Sequence, residues 1–523
     1  MSLFVKKPLG QLLAQAADSE KGLKRTLGAG NLVALGVGAI IGAGLFVRTA
    51  AASAEAAGPA VTISFLVAAV GCVFAGLCYA EFAAMIPIAG SAYTYAYATL
   101  GEVVAWIIGW ALIMEYALGA TTVSISWSEY LNKLVGGSIP YKWCHSPFEH
   151  VNIVTGSAVG EFPAELAKTA KQGVLMLSDR QLGGLTPHLH DMVTTLSGCV
   201  NLPALAILLL LSLLLMKGTA ESALVNSIIV IIKVAIVLVF IGVGWHFINP
   251  ANHTPYIIPE GTPGHEGFFK HGIPGILGGA SIVFFAFIGF DAVSTAAQEA
   301  KNPKRDMPIG ILGSLVVCTI LYILFSYVLT GVANWKEFAL QGKEASVAYA
   351  INTYMTGYHW LGTAVTIAIL LGFSSVILVM LLGQSRVFYT MSTDGLLPKV
   401  FSDLHPKFRT PYKSNAILFL FAGAFAAFLP ESIAGDLTSF GTLFAFVLVS
   451  AGVWVMRRSN PEVDRPFRAP WVPVVPILGI LICAFMIVAL DVNTLEAAFA
   501  WMIIGLVVYF AYSKRNSKLR QLK

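Results

Sequence analysis

Charge is scarce in this chain: Asp, Glu, Lys and Arg together make up 12% of its 523 residues, against 57% hydrophobic residues. With a mean hydropathy of +0.76, that balance excludes a soluble globular domain. Enzyme signatures are missing as well. The apolar segments hold no HExxH, no paired catalytic aspartates and no Ser–His arrangement that spacing could support. Cysteine is sparse, at six residues: Cys72, Cys78, Cys318 and Cys483 fall in apolar segments, and Cys144 and Cys199 on one long connection. That last pair could form a disulfide, or remain two free thiols. The first residues are basic but have no apolar core before a small-residue cleavage site, so no cleaved signal peptide is expected.

Long apolar runs are what the chain does have. A bilayer-crossing helix needs about 20 apolar residues. Twelve such segments are predicted, at 29–53, 59–84, 99–130, 200–216, 223–247, 273–297, 308–333, 359–385, 414–429, 434–456, 471–490 and 494–512. Lys and Arg concentrate at the two ends and on alternate connections, which predicts both termini in the cytoplasm of a plasma membrane. The net charge of +5 is then a topology signal and no footprint of nucleic acid. Membrane lipid is the expected surrounding. The 131–199 connection lies outside in this topology. Its His145, His150, His188, His190 and Asp191 show no metal-ligand spacing, so no metal is expected. Trp127, Trp245, Trp335, Trp360 and Trp471 fall near predicted interfaces, where such rings serve as anchors.

Two segments depart from plain hydrophobic helix. The first, ALGVGAIIGAGLFV, gathers Gly36, Gly38, Gly42 and Gly44, and the sixth carries Gly289 and Asp291 near mid-depth. Glycine weakens a helix by about 1 kcal/mol relative to alanine, and breaks at membrane depth survive where they line a cavity. Paired interruptions in two halves of a chain point to a transporter binding site. Close helix packing through small residues is the alternative for either segment alone. A third departure is Lys233, alone inside the run SIIVIIKVAIVLVFIGVGW. Intramembrane charges are costly and mark functional sites by default.

Seven ordered motifs carry a resemblance: GVGAIIGAGLFV (36–47), AGPA (57–60), CYAEFAAMIPIAGSAYTYAY (78–97), FFAFIGFDAVSTAAQEAKNPKRDMPIGI (284–311), QSRVFYTMSTDGLLP (384–398), GTLFAF (441–446) and RPFRAPWVPVVP (465–476). The chain resembles the amino acid, polyamine and organocation (APC) transporters, and among them bacterial members of the cationic amino acid transporter family. The resemblance implies an all-α polytopic fold of twelve helices. Two five-helix repeats of inverted topology, 29–247 and 273–456, are followed by two further helices in 471–512. The segments 1–28 and 513–523 are then cytoplasmic.

By that resemblance an L-amino acid sits between broken helices 1 and 6. Its carboxylate meets amides of Ile41, Gly42, Ala43 and Gly44, where a helix end offers unpaired N–H groups. Its amino group meets carbonyls freed at Phe285, Ala286 and Ile288, with Ile40 contributing. The side chain is sensed by Leu118 and Gly119, placed on one helical face with Glu115, and by Phe287, Phe290 and Ser374. A hydroxyl is common in the family at the position of Ala43, and apolar lining here favours a small neutral substrate. Lys233 matches a lysine of proton-coupled relatives, at a place where sodium-coupled members of the wider fold hold a cation between helices 1, 5 and 8. Gain and loss of its proton could select between conformations, or the lysine could simply tie helix 5 to helix-1 carbonyls.

Glu115 and Asp291 are the other deep acids. Glu115 could act in coupling, in structure or as a counter-ion to a cationic side chain, whereas Asp291 is expected to shape the broken helix 6. Glu81, Glu299, Arg305, Asp306, Arg386 and Asp394 cluster at helix mouths as candidate parts of a cytoplasmic gate, with a solvated charged face as the alternative. These readings converge on proton-coupled uptake of an amino acid by alternating access, with no cofactor implied. A cationic amino acid exchanger or uniporter, and a non-transporting sensor, use the same pocket. Nothing in the sequence speaks for or against an accessory protein.

Overall fold

A computed structural model of the chain describes residues 4–17, 25–42, 44–163, 174–177, 187–340, 346–429, 431–488, 490 and 492–521. Helices dominate it: α1 (Ala29–Ile40), α2 (Val61–Met85), α3 (Glu102–Leu134), α4 (Leu202–Lys217), α5 (Thr219–Gly244) and α6 (Gly272–Phe284) in the first part. They are followed by α7 (Pro303–Val332), α8 (His359–Thr393), α9 (Tyr412–Phe428), α10 (Glu431–Ser459), α11 (Val474–Val488) and α12 (Val492–Val508). Eight described helical stretches are long and apolar enough to cross a membrane, and the apolar α1, α4, α9 and α11 are shorter. The protein is therefore a mainly helical, multi-pass membrane protein. Large apolar side chains such as Leu213 on α4, Ile231 on α5, Phe485 on α11 and Phe499 on α12 are exposed. Their exposure carries no hydrophobic penalty where lipid tails replace water.

The first predicted span, 29–53, is not one helix. α1 stops at Ile40, Ile41 is extended (φ −77°, ψ 101°), and helical structure resumes through Gly44–Arg48, Thr49–Ala52 and Ser53–Ala57. The sixth breaks likewise: Ile288 is extended (ψ 135°) and Gly289 has φ +110°, a conformation that suits glycine, before a 3-10 segment Asp291–Glu299. α7 packs on both α1 and α2, while α8 lies against α1, α3 and α5. The two breaks are thus enclosed by the remaining helices.

The long 131–199 connection departs from the all-α expectation. It carries an antiparallel sheet of order β2–β1–β3, with β1 at His150–Thr155, β2 at Val174–Leu177 and β3 at Thr194–Ser197. Ile153 pairs with Met176 on one side and Thr194 on the other. Val154, Phe162, Leu175 and Leu177 form a small core under it. Cys144 and Cys199 are free thiols, and backbone bonds close the neck of this unit, with Cys199 N–H donating to the carbonyls of Lys142 (3.0 Å) and His145 (3.1 Å).

Both chain ends lie together at the opposite face, the tail side. Lys7 N–H donates to Tyr97 O (3.1 Å), Thr26 N–H to Glu299 O (2.9 Å) and Lys518 N–H to Asp394 O (3.1 Å).

Candidate functional site

The two helix breaks press directly on one another. A Cβ on Gly44 would stand 2.2 Å from Ala286 Cα, and one on Gly289 would stand 2.8 Å from Ala39 Cβ. Only glycine allows backbones this close. Gly36 and Gly38 have a different part: they lie inside regular α1, with Cβ positions 2.4 Å from Ser314 Oγ and 2.6 Å from Asn226 Oδ1. The glycine-rich stretch therefore serves both readings of the sequence, packing in α1 and a break after it.

A cavity opens at the crossing, lined by Ala39, Ile40, Gly42, Gly44, Gly119, Val123, Phe285, Ile288, Val376, Met380 and Thr438. The room for the centre of a water-sized sphere is about 20 Å³, the space of about one water molecule. Anything larger than a water molecule enters only after the surrounding helices part.

Lys233 is fully buried beside the first break. Its Nζ donates to Gly38 O (3.0 Å), Ile41 O (2.7 Å) and Ser375 Oγ (2.8 Å), which joins α5 to α1 and α8. Gly38 and Ile41 can accept because the broken helix leaves their carbonyls without the usual amide partners. All three donor positions of an ammonium are thus used.

A family model described as amino acid permease matches residues 27–511. The chain belongs to the amino acid permease family. The branched-chain amino acid permease BcaP of Bacillus subtilis (strain 168) is 42% identical over 520 residues, covering 99% of both chains. The methylthioribose transporter of the same organism is 36% identical, covering 99% of this chain and all of its own. The vacuolar cationic amino acid transporter 4 of Arabidopsis thaliana is 32% identical, over 88% of this chain and 68% of its own. The protein is accordingly a transporter of the APC superfamily and not an enzyme.

In this permease, six of the residues expected to hold substrate line the cavity: Ile40, Gly42, Gly44, Gly119, Phe285 and Ile288. Ala43 lies outside the described residues. Ile41 is engaged by Lys233. Ala286 backs Gly44, and its carbonyl, like that of Ile40, accepts from the Tyr322 hydroxyl at 2.8 Å. Phe287 packs against Phe65 and Tyr322, and Phe290 against Tyr79 and Phe446. Leu118 turns away towards Ala111, Met114, Phe440 and Ala498. Ser374 is spent on its own helix, bonding Leu370 O.

Glu115 lies in a π turn, Met114–Leu118, beside Thr442, one turn along α10 from Thr438, which stands 3.3 Å from the Cβ position of Gly119, so the two positions look onto the same stretch of α10. Glu115 is fully buried beside Asp291 and Thr442, and Asp291 Oδ2 accepts from Tyr116 Oη (2.6 Å). Among the described residues neither acid pairs with a cation.

The tail side holds four acids in networks. Glu81 accepts from Arg457 Nε (2.8 Å) and Nη2 (2.7 Å) and from Ala469 N–H (2.8 Å), with Arg465 at 3.4 Å. Glu299 accepts from Arg386 Nε at 2.7 Å, both side chains being buried. Asp394 accepts from Lys7 Nζ (2.5 Å) and Tyr93 Oη (2.8 Å). Arg305 stays exposed on the first turn of α7, while Asp306 accepts from Asn302 N–H there (3.2 Å). Sequence reasoning missed the fourth acid, Glu102, which accepts from Tyr97 Oη, Tyr509 Oη, Ser517 Oγ and Arg520 Nε. It also missed Tyr322, Ser375, Val376, Met380 and Thr438, which no motif marks.

Proposed function

We propose that this permease takes up a neutral amino acid of branched-chain size together with a proton, by alternating access across a plasma membrane with both termini in the cytoplasm. On this reading α1–α5 (29–247) and α6–α10 (273–456) are two inverted five-helix repeats, α11 and α12 (471–512) complete a set of twelve, and 131–199 lies outside. The segments 1–28 and 513–523 are cytoplasmic.

The contact between the two breaks carries the proposal, because residues on both sides of it line one cavity. The resemblance assigns amides of Ile41 to Gly44 to the carboxylate and carbonyls of Phe285, Ala286, Ile288 and Ile40 to the ammonium. Of these, Ile41 N–H donates to Val37 O (3.0 Å), Phe285 O accepts from Ile288 N–H (3.3 Å), and Ile40 O and Ala286 O accept from Tyr322, so those bonds yield when substrate binds. The walls contributed by Gly119, Val123, Val376 and Met380 are apolar, with Thr438 the one hydroxyl among the lining side chains. That lining fits an uncharged aliphatic side chain, the class named for BcaP. A cationic substrate would need an anionic wall, and Glu115 faces Asp291 and Thr442 instead.

Lys233 supplies the link to protons. Its three donated bonds hold α5 to α1 and α8. A neutral amine has two N–H groups, so deprotonation removes one of the three and loosens the first break. Glu81, Glu299, Arg386, Asp394 and Glu102 then close the inner side, and Asp291 steadies helix 6.

The test is uptake of radiolabelled isoleucine into proteoliposomes, with and without an inward proton gradient. Wild type is expected to accumulate isoleucine with the gradient, whereas Lys233→Ala exchanges it without responding to pH. Gradient-insensitive exchange by both proteins refutes proton coupling, and lysine transported in preference to isoleucine refutes the substrate class.

A further inference from the structure

Arg48 ends the π turn Gly44–Arg48, one turn beyond cavity-lining Gly44 on the sheet side. Its guanidinium carbon lies 5.2 Å from the centroid of Phe285, another cavity wall. Nη2 stands 3.9 Å from where a Cβ on Gly435 would be, one turn before cavity-lining Thr438 on α10. The guanidinium thus reaches from the first break across the second to α10, capping the cavity on the sheet side. It is half-buried. Among the described residues its recorded partner is the Phe285 ring face, and no carboxylate pairs with it. A ring quadrupole attracts a cation but does not neutralise it. A part-buried positive charge is costly when left uncompensated, so its field extends into the space below.

We infer that Arg48 is a specificity-determining residue of this permease, whose guanidinium, held over the cavity by Phe285, turns away amino acids with cationic side chains. The inference rests on the cavity being the amino acid site. The α-ammonium and α-carboxylate are common to all substrates, so the charge of Arg48 discriminates through the side chain alone. Cationic side chains are disfavoured, neutral ones are unaffected by sign, and anionic ones are favoured. At a separation of about 10 Å and an effective dielectric of about 20, a like-charge pair changes relative binding roughly ten-fold.

The experiment is competition of unlabelled lysine, glutamate and isoleucine against radiolabelled isoleucine in proteoliposomes of wild type, Arg48→Gln and Arg48→Lys. Ratios of half-inhibitory concentrations are read within one sample, so they do not depend on how much protein reconstitutes. Arg48→Gln is expected to improve lysine relative to isoleucine about ten-fold and to worsen glutamate, while Arg48→Lys keeps the wild-type ratios. If Arg48→Gln inserts poorly, Arg48→Met removes the same charge. Lysine and glutamate moving in the same direction would mean Arg48 acts through bulk, and unmoved ratios would mean its charge is not felt; either overturns the inference. A wild type for which isoleucine neither enters nor competes would instead overturn the reading of the cavity.

Discussion

Replacing Gly44 by alanine tests whether the two breaks meet during transport. The added methyl would lie 2.2 Å from Ala286 Cα, 2.5 Å from its Cβ and 3.0 Å from its N. Carbon atoms prefer separations of about 3.5–4.0 Å, and the obstacle is backbone, which no rotamer change can move. The helix 1 and helix 6 segments must therefore part by more than about 1 Å. Overpacking of this kind costs about 1–3 kcal/mol, equivalent to depopulating the closed state about 5- to 150-fold relative to open ones. Gly30, in the same α1, has nothing within 4 Å of its Cβ position, and alanine there is expected to be neutral or slightly stabilising. Initial isoleucine uptake per reconstituted molecule should fall by more than about five-fold in Gly44→Ala and stay near wild type in Gly30→Ala. Equal uptake in all three proteins would refute the idea that this closed crossing is an obligatory state.

Tyr322→Phe removes the hydroxyl that serves the Ile40 and Ala286 carbonyls, and an unsatisfied buried acceptor costs about 1–3 kcal/mol. The thermal midpoint of the substrate-free protein should fall and its gain on adding isoleucine should grow; an equal gain in wild type and variant would mean these carbonyls do not receive substrate. Glu102→Gln weakens the hold on Arg520, Ser517 and Tyr509, and loss of a charged hydrogen bond worth about 1.5–3 kcal/mol should speed tryptic cleavage within 514–520 at least about ten-fold, read by mass spectrometry. Unchanged cleavage would place the hold elsewhere, for instance at Ser513 Oγ on Leu396 O (2.8 Å).

Composition and hydropathy carried the class of this protein, because lipid exposure imposes long apolar runs that nothing else requires. The breaks were legible because glycine is the one residue that allows a close backbone crossing, at Gly44 and Gly289. Lys233 stood out through its surroundings alone. Spacing is a weaker guide where a helix is not a regular α-helix, as at the π turn Met114–Leu118, where Leu118 is buried with Ala111, Met114, Phe440 and Ala498. On α8 a single residue decides, since Ser375 reaches Lys233 and Ser374 does not. Tyr322 and Glu102 were unreadable because their partners are backbone carbonyls or lie up to 418 positions away. The three strands in 131–199 are too short to announce themselves by alternation.

The Glu102 cluster has a consequence for biosynthesis. Glu102 leaves the ribosome 418 residues before Arg520, an interval of about 20–80 s at ordinary elongation rates of about 5–20 residues per second. Until residue 509 is made, its carboxylate has Tyr97 but neither Tyr509 nor Arg520 to receive it. The tail-side network around Glu102 is therefore completed late, after the membrane helices have been made, and a nascent chain stalled before residue 509 would lack it.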